Sequence, residues 1–133
     1  MPRFEPQSND VTEPFWQASR DKKYLIQWCT ACDTSIYYPR EVCPSCLSED
    51  KLEWRTASGK GEVYTYNVMH KAGVPFMADR VPYVVALVML EEGARILTNI
   101  VNCDPSAVKV GMPVQLAWEE LTDGRNLAVF EPR

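Results

Sequence analysis

Histidine is almost absent from this chain, which has one, His70, in 133 residues. That scarcity removes most catalytic constellations built on imidazole. No serine–histidine–acid arrangement, no G-x-S-x-G elbow, no G-x-G-x-x-G fingerprint and no P-loop is present. His70 ends a predicted strand and reads as a structural or solvated residue rather than a catalytic one. Long apolar runs are also missing. The longest, Tyr83 to Leu90, has eight residues, far below the roughly 20 that a membrane helix needs, so no membrane partner is expected. The opening MPRFEPQSND lacks a signal-peptide core, and the expected location is the cytoplasm. A basic excess is lacking too: 14 Lys and Arg face 18 Asp and Glu, for a formal charge of −4. Such a balance disfavours nucleic acid, whose binding depends on neutralising phosphates. The acidity sits mainly late in the chain. Residues 20–60 carry seven Lys/Arg and six Asp/Glu, while residues 81–133 carry four and seven. A modest anion site in the first half is compatible with that distribution.

What is present is a folded protein's share of apolar residues, 46%, enough for one ordinary domain or two very small ones. Residues 1–11 are polar, carry proline and show no period, which predicts a flexible arm. Thr12 is a plausible helix N-cap, with Glu13 and Pro14 suited to the first turn of a short amphipathic helix. Its Phe15 and Trp16 either pack on their own domain or dock on a partner. The stretches YLIQWC, SIYYPREVC and LEWRTAS predict three short strands. After SGKG the chain is strand-rich: GEVYTYNVMH alternates, and PYVVALVML reads as a strand buried on both faces. EEGA turns it into RILTNIV, DPSAVKVGM is a loop with about one helical turn, and PVQLAWEEL and RNLAVFE form the last hairpin. The expected fold is mainly β: a short N-terminal helix and a ribbon, then a five-stranded OB-fold barrel. The expected division is 1–11 for the arm, 12–57 for helix and ribbon, and 58–133 for the barrel.

Four of the five cysteines stand as two Cys-x-x-Cys pairs, Cys29/Cys32 and Cys43/Cys46, ten residues apart. Each pair forms a knuckle that presents two sulfurs. Two knuckles on adjacent hairpins complete a tetrahedral four-thiolate shell. A ribbon of this size has almost no core of its own, so it needs such a clip. Disulfides lack a secretory context here, and a thioredoxin-like role needs one such motif in a βαβ unit. One structural zinc is the expected cofactor; iron would use the same four ligands. A filled shell leaves no position open for substrate. Cys103 has no paired neighbour and reads as a half-buried small residue.

The remaining chemistry is sparse. The stretch from Lys71 to Pro82 is a long loop, a length that often carries function. Its Phe76 and Met77 either cap the barrel or meet a partner. Arg40, Lys60, Lys71 and Arg80 are the best basic candidates for an anionic ligand. Trp54, Tyr64 and Tyr66 are able to stack on bases, which keeps a nucleic-acid OB module as a rival reading.

The order of parts carries more than any one of them. An aromatic helix leads into C-x-x-C, then YYPREVCPSC, LEWRTASGKGEVYTYNVMH, VPYVVALVMLEEGARILTNIV, VKVGMPVQLAWEE and LAVFEPR. Over about residues 12–132 this resembles the rubredoxin-like zinc-ribbon plus OB-fold family of acyl-CoA-associated proteins. The resemblance implies a small accessory subunit, not catalytic alone, in a hetero-oligomer with a thiolase-fold enzyme such as an acyl-CoA thiolase or aldolase. The partner would supply the nucleophilic cysteine and the histidine. It further implies a part in forming or shielding a coenzyme A or acyl-CoA site. Arg40, Lys60, Lys71 and Arg80 would face the coenzyme A, and Phe15, Trp16, Phe76 and Met77 would be docking anchors. The resemblance also leaves open an accessory subunit of an acyl-CoA hydratase, and a third reading is a stand-alone acyl-CoA-binding protein.

Overall fold

A computed structural model describes residues 4–133. Helix α1 (Glu13–Arg20) precedes a three-stranded antiparallel sheet of β1 (Leu25–Cys29), β2 (Thr34–Ile36) and β3 (Leu52–Thr56), in the order β2-β1-β3. Five further strands follow: β4 (Lys60–Met69), β5 (Tyr83–Leu90), β6 (Arg95–Ile100), β7 (Pro113–Glu120) and β8 (Asn126–Pro132). They close a barrel in the order β4-β5-β6-β8-β7. The fold is thus mainly β, a ribbon followed by a five-stranded OB-type barrel.

Local chemistry accounts for the elements. Thr12 occupies the N-cap of α1, yet its side chain makes no capping bond. Asn9 organises the entry instead: its Oδ1 accepts from the N–H groups of Val11 and Thr12, at 3.0 Å each. The flexible-arm expectation falls in part on residues 1–3, which lie outside the described residues. Further along that segment, the Glu5 carboxylate accepts from Thr122 N–H at 2.8 Å and from its hydroxyl at 3.0 Å. Between β5 and β6, Leu90 N–H donates to Ala94 C=O at 2.9 Å, and Gly93 takes the left-handed φ of 93° that the turn needs.

Two strands differ from expectation. The alternation of β4 changes phase at a bulge: Val63 pairs Val88 and Thr65 pairs Leu87, leaving Tyr64 as the extra residue. Val68 then pairs Val84 and packs against the core, as Val63 does. A bulge lets one long strand bend around the barrel without losing its inward face. Strand β5 is not buried on both faces. Val84, Ala86, Val88 and Leu90 are buried, and Tyr83, Val85, Leu87 and Met89 are only partly so. The reason is architectural: a small barrel is filled from inside, and nothing among the described residues fully covers its outer wall here.

Gly61 is where β4 is pinned on both sides, by Leu90 of β5 and Val114 of β7. A Cβ at this position would meet the Met89 carbonyl oxygen at 2.4 Å and Val88 Cγ1 at 3.0 Å. Gly61→Ala is therefore expected to destabilise the barrel by about 1–3 kcal/mol through overpacking. A denaturant midpoint unchanged from the parent protein would refute that close approach.

Candidate functional site

The cysteine knuckles are built alike. Asp33 follows Cys32 and Leu47 follows Cys46, and both take left-handed backbone, φ 52° and 61°. Within the first knuckle an amide faces sulfur: Cys32 N–H donates to Cys29 Sγ at 3.4 Å. N–H groups of Cys46 and Ser45 do the same for Cys43 and draw its thiol down to about 6. The Cys32 thiol is pushed up to about 12, first by its hydrogen bond with Cys46 and then by burial. Four sulfurs this crowded do not all ionise without a cation among them. Cys29 Sγ lies 3.7 Å from Cys46 Sγ, and Cys32 Sγ lies 4.0 Å from Cys43 Sγ. All four fall within 4.8 Å of one another. A tetrahedron of Zn–S bonds has edges of about 3.8 Å, so the residues fit the ion. It is a structural zinc site: four protein ligands leave no place for a reacting molecule.

The ribbon leans on the barrel, and α1 locks the join. Ser19 is fully buried; its C=O accepts from Asn126 Nδ2 at 2.9 Å and its hydroxyl accepts from Asn126 N–H at 3.3 Å. Arg20 Nη1 donates to Asp123 C=O at 2.6 Å. The Arg125 guanidinium sits 4.9 Å from the Trp16 ring centre and donates to Asp123 at 2.6 Å. On the other side, Ala57 N–H donates to Tyr24 C=O at 2.8 Å, and Tyr24 and Ile26 join the barrel's own apolar cluster.

A cavity of about 220 Å³ lies at this junction. Its origin is in the strand geometry. Strands β6 and β8 run parallel and pair at Ile100 and Phe130. Backbone pairing between Arg95–Asn99 and Asn126–Val129 is not found among the described residues; the Thr98 hydroxyl, donating to Ala128 C=O at 3.1 Å, bridges the two strands there, and α1, β1 and β2 roof the opening. Leu97, Leu127 and Ala128 form the barrel side; Phe15, Tyr24 and Tyr37 are among the groups across from them. No lining residue carries a charge. Burial pushes the phenols of Tyr24 and Tyr37 upward, so both stay neutral. Two polar lining residues are already engaged: Gln27 donates to Arg40 C=O at 2.7 Å and accepts from Arg40 N–H at 2.8 Å, and the Thr12 hydroxyl accepts from Asn9 N–H at 3.1 Å.

The structure separates the residues that the sequence singled out. Lys60 opens the ten-residue β4 and Lys71 lies two residues past its last residue, so the two stand at opposite ends of that strand. Arg80 Nη1 is ion-paired to Glu119 at 2.8 Å. Arg40 is exposed beside the cavity, through its backbone bonds to Gln27. Of the proposed anchors, Trp16 and Met77 are each 8% exposed and committed to the chain's own packing. Phe15 is partly buried against Trp16 and Tyr24, at ring-centre distances of 5.0 and 5.4 Å, and Phe76 is partly buried in a 3-10 helix, Pro75–Arg80, that occupies most of the stretch expected to be a loop. The larger exposed apolar groups are others, including Tyr38, Tyr64 and Leu97. His70 is exposed and Cys103 half-buried. The cavity was not foreseen. Its one sequence signal is the aromatic pair Tyr37-Tyr38 in a ribbon otherwise poor in core residues.

A four-cysteine ribbon joined to a five-stranded barrel defines a zinc-ribbon OB-fold protein. Family models narrow this further. The ChsH2 rubredoxin-like zinc ribbon domain matches residues 16–53, and the ChsH2 C-terminal OB-fold domain matches residues 54–119. The chain belongs to the ChsH2 (DUF35) family. A DUF35 domain-containing scaffold protein of Methanocaldococcus jannaschii is 41% identical, covering 81% of this chain and 77% of that protein. A probable enoyl-CoA hydratase alpha subunit of Thermomonospora curvata is 39% identical over 98% of this chain. The present chain spans less than half of that subunit's length, 45%. A chain of the solved Ltp2-ChsH2(DUF35) aldolase is 40% identical and superposes with a TM-score of 0.84, covering 96% of this chain and 98% of that one. No helix among the described residues is long and apolar enough to cross a membrane.

Proposed function

We propose that this chain is a non-catalytic accessory subunit that docks on a thiolase-fold enzyme acting on coenzyme A thioesters and helps enclose its acyl-CoA site. The observation that carries this reading is the nearly end-to-end likeness to a chain of the Ltp2-ChsH2(DUF35) aldolase, at 40% identity. Two features of the molecule support it. The zinc shell is closed, and the lone histidine is solvent-exposed. Thioester chemistry then belongs to the partner, where exclusion of water and alignment of the pantetheine arm matter most. The half-open outer wall of the barrel, with Tyr64 exposed and Val85 and Leu87 partly so, offers apolar anchors for such a partner. Phe15 and Phe76 extend those anchors, whereas Trp16 and Met77 act beneath the surface. On the anionic side Arg40 is the cation best placed for coenzyme A phosphates, with Lys60, Lys71 and Arg80 serving separate regions of the surface.

A second reading places the chain with an acyl-CoA hydratase, and the hydratase alpha subunit of Thermomonospora curvata favours it. Co-expression with a thiolase-fold enzyme and, separately, with a hydratase subunit from the same source distinguishes the two. The expected result is co-elution with the thiolase-fold enzyme on size exclusion and an activity gain of at least about tenfold, or ~1.4 kcal/mol of barrier. Co-elution with the hydratase alone moves the assignment to the second reading. A chain that elutes by itself beside a fully active partner ends both.

A further inference from the structure

The geometry points to a second role for the chain: the cavity between α1, the ribbon and the β6–β8 gap is a binding site for the hydrocarbon part of an acyl group. The apolar class follows from the cavity itself. At about 220 Å³ it exceeds the roughly 150 Å³ apolar cavity that is known to take up benzene. It carries no charge, the phenols of buried Tyr24 and partly buried Tyr37 are neutral, and Gln27 is already satisfied by the Arg40 backbone. Apart from its tyrosine hydroxyls, it offers little to a polar head group. What it offers is aromatic and aliphatic surface: Phe15 and Tyr24 on one side, Leu97 and Leu127 on the other, and the Tyr37–Tyr38 stack (ring centres 4.1 Å apart) beside them. Water-sized groups take about 30 Å³ each, so the space holds a chain of about seven carbons. A head group left outside emerges near Arg40, whose neighbour Pro39 lines the cavity.

The choice of a thioester's acyl chain as this hydrocarbon rests on the proposed function; the apolar class does not. The site holds the chain by burial alone, so affinity follows length. Each methylene buried should raise it about fourfold until the cavity is full, after which further carbons add little.

The test uses the zinc-loaded full chain without any partner, titrated with N-acetylcysteamine thioesters of butyrate, hexanoate, octanoate and dodecanoate. Amide chemical shifts are followed by NMR. The expected outcome is saturable shifts centred on Phe15, Ile26, Leu97 and Ala128, with affinity rising steeply to octanoate and then levelling. Leu97→Trp fills the cavity from its exposed rim, where Leu97 is 52% exposed, and should weaken octanoyl binding by about tenfold or more. Parental zinc content and parental shifts in β4 and β7 would show that this variant is folded. Affinity independent of chain length, or shifts centred on Tyr64 and the outer wall, would overturn the assignment, and the wild-type series decides this even if the variant fails to fold. Loss of docking on an enzyme partner with the length series intact would strike the proposed function and leave this site standing.

Discussion

Replacing Cys43 with serine is expected to abolish zinc retention and to unfold the tip of the ribbon while the barrel stays folded. The argument begins with how little else holds that tip. Its buried cluster is Cys29, Ile36 and Cys43, with Leu52 packed beside it. At about 1.5–3 kcal/mol per fully buried aliphatic side chain, this cannot offset the ordering of the residues between Cys29 and Lys51 at ~1–2 kcal/mol each. Binding of zinc to a four-ligand site contributes about 10–16 kcal/mol, so the metal decides whether the tip folds. Cys43 is the ligand whose loss should matter most. It is fully buried, and the N–H groups of Cys46 and Ser45 favour its thiolate. Its backbone also closes the second knuckle, through Leu47 N–H to Cys43 C=O at 2.8 Å and Cys43 N–H to Ser48 C=O at 3.0 Å. A serine hydroxyl offers no thiolate, and the remaining three sulfurs lose their common centre. Elemental analysis should find about one zinc per parent chain and less than about a tenth of that in Cys43→Ser. Hydrogen exchange should show residues 30–50 unprotected and β5 and β6 unchanged. The base of the ribbon should survive, because Tyr24 and Ile26 belong to the barrel's cluster rather than to the tip's. Full zinc in the variant, or a barrel that melts with the tip, would sink this account.

The same division explains what could be read from the sequence. The cysteine knuckles were legible because metal ligation imposes spacing on the chain itself: two residues within each pair, one hairpin between pairs. The strands were legible as segments wherever β-branched and aromatic runs are bounded by turn residues, as in β5 and β6. The places that failed are those where tertiary structure decides. The bulge at Tyr64 shifts the phase of β4 with no local marker such as glycine. Whether the outer side of β5 is covered depends on what packs there, and Val85 and Leu87 look the same in sequence either way. Phe15 and Trp16 are neighbours in one helix, yet only Trp16 is driven fully inward, because Arg125 and the last hairpin meet that face. Arg40, Lys60, Lys71 and Arg80 were grouped by charge alone. Charge carries no register, and β4 holds two of them apart. The cavity is the extreme case, since it arises from the divergence of β6 and β8, strands separated in the chain by β7.

That divergence leads to the second large effect. Phe130→Ala is expected to lower barrel stability by about 3–5 kcal/mol, a large share of the roughly 5–15 kcal/mol available to a domain. Phe130 is fully buried and pairs Ile100 of β6 on one side and Leu116 of β7 on the other. Its C=O also accepts from Val101 N–H at 2.8 Å. The side chain therefore fills the core at the point where the barrel closes. Removing it leaves a void that the backbone bonds on both sides resist collapsing. The expected fall in melting temperature is about 10–20 °C at fixed zinc concentration. Zinc content of the folded variant should stay at the parent level, since the knuckles belong to a separate cluster. Cys43→Ser and Phe130→Ala thus make a crossed pair: one loses metal and keeps the barrel, the other keeps metal and weakens the barrel. The closing rung is also the point from which β6 and β8 part, so Phe130→Ala should loosen the wall formed by Leu97 and Ala128 and reduce octanoyl binding below its melting point. A melting temperature within about 3 °C of the parent, equivalent to under ~1 kcal/mol, would show that barrel closure does not rest on this residue.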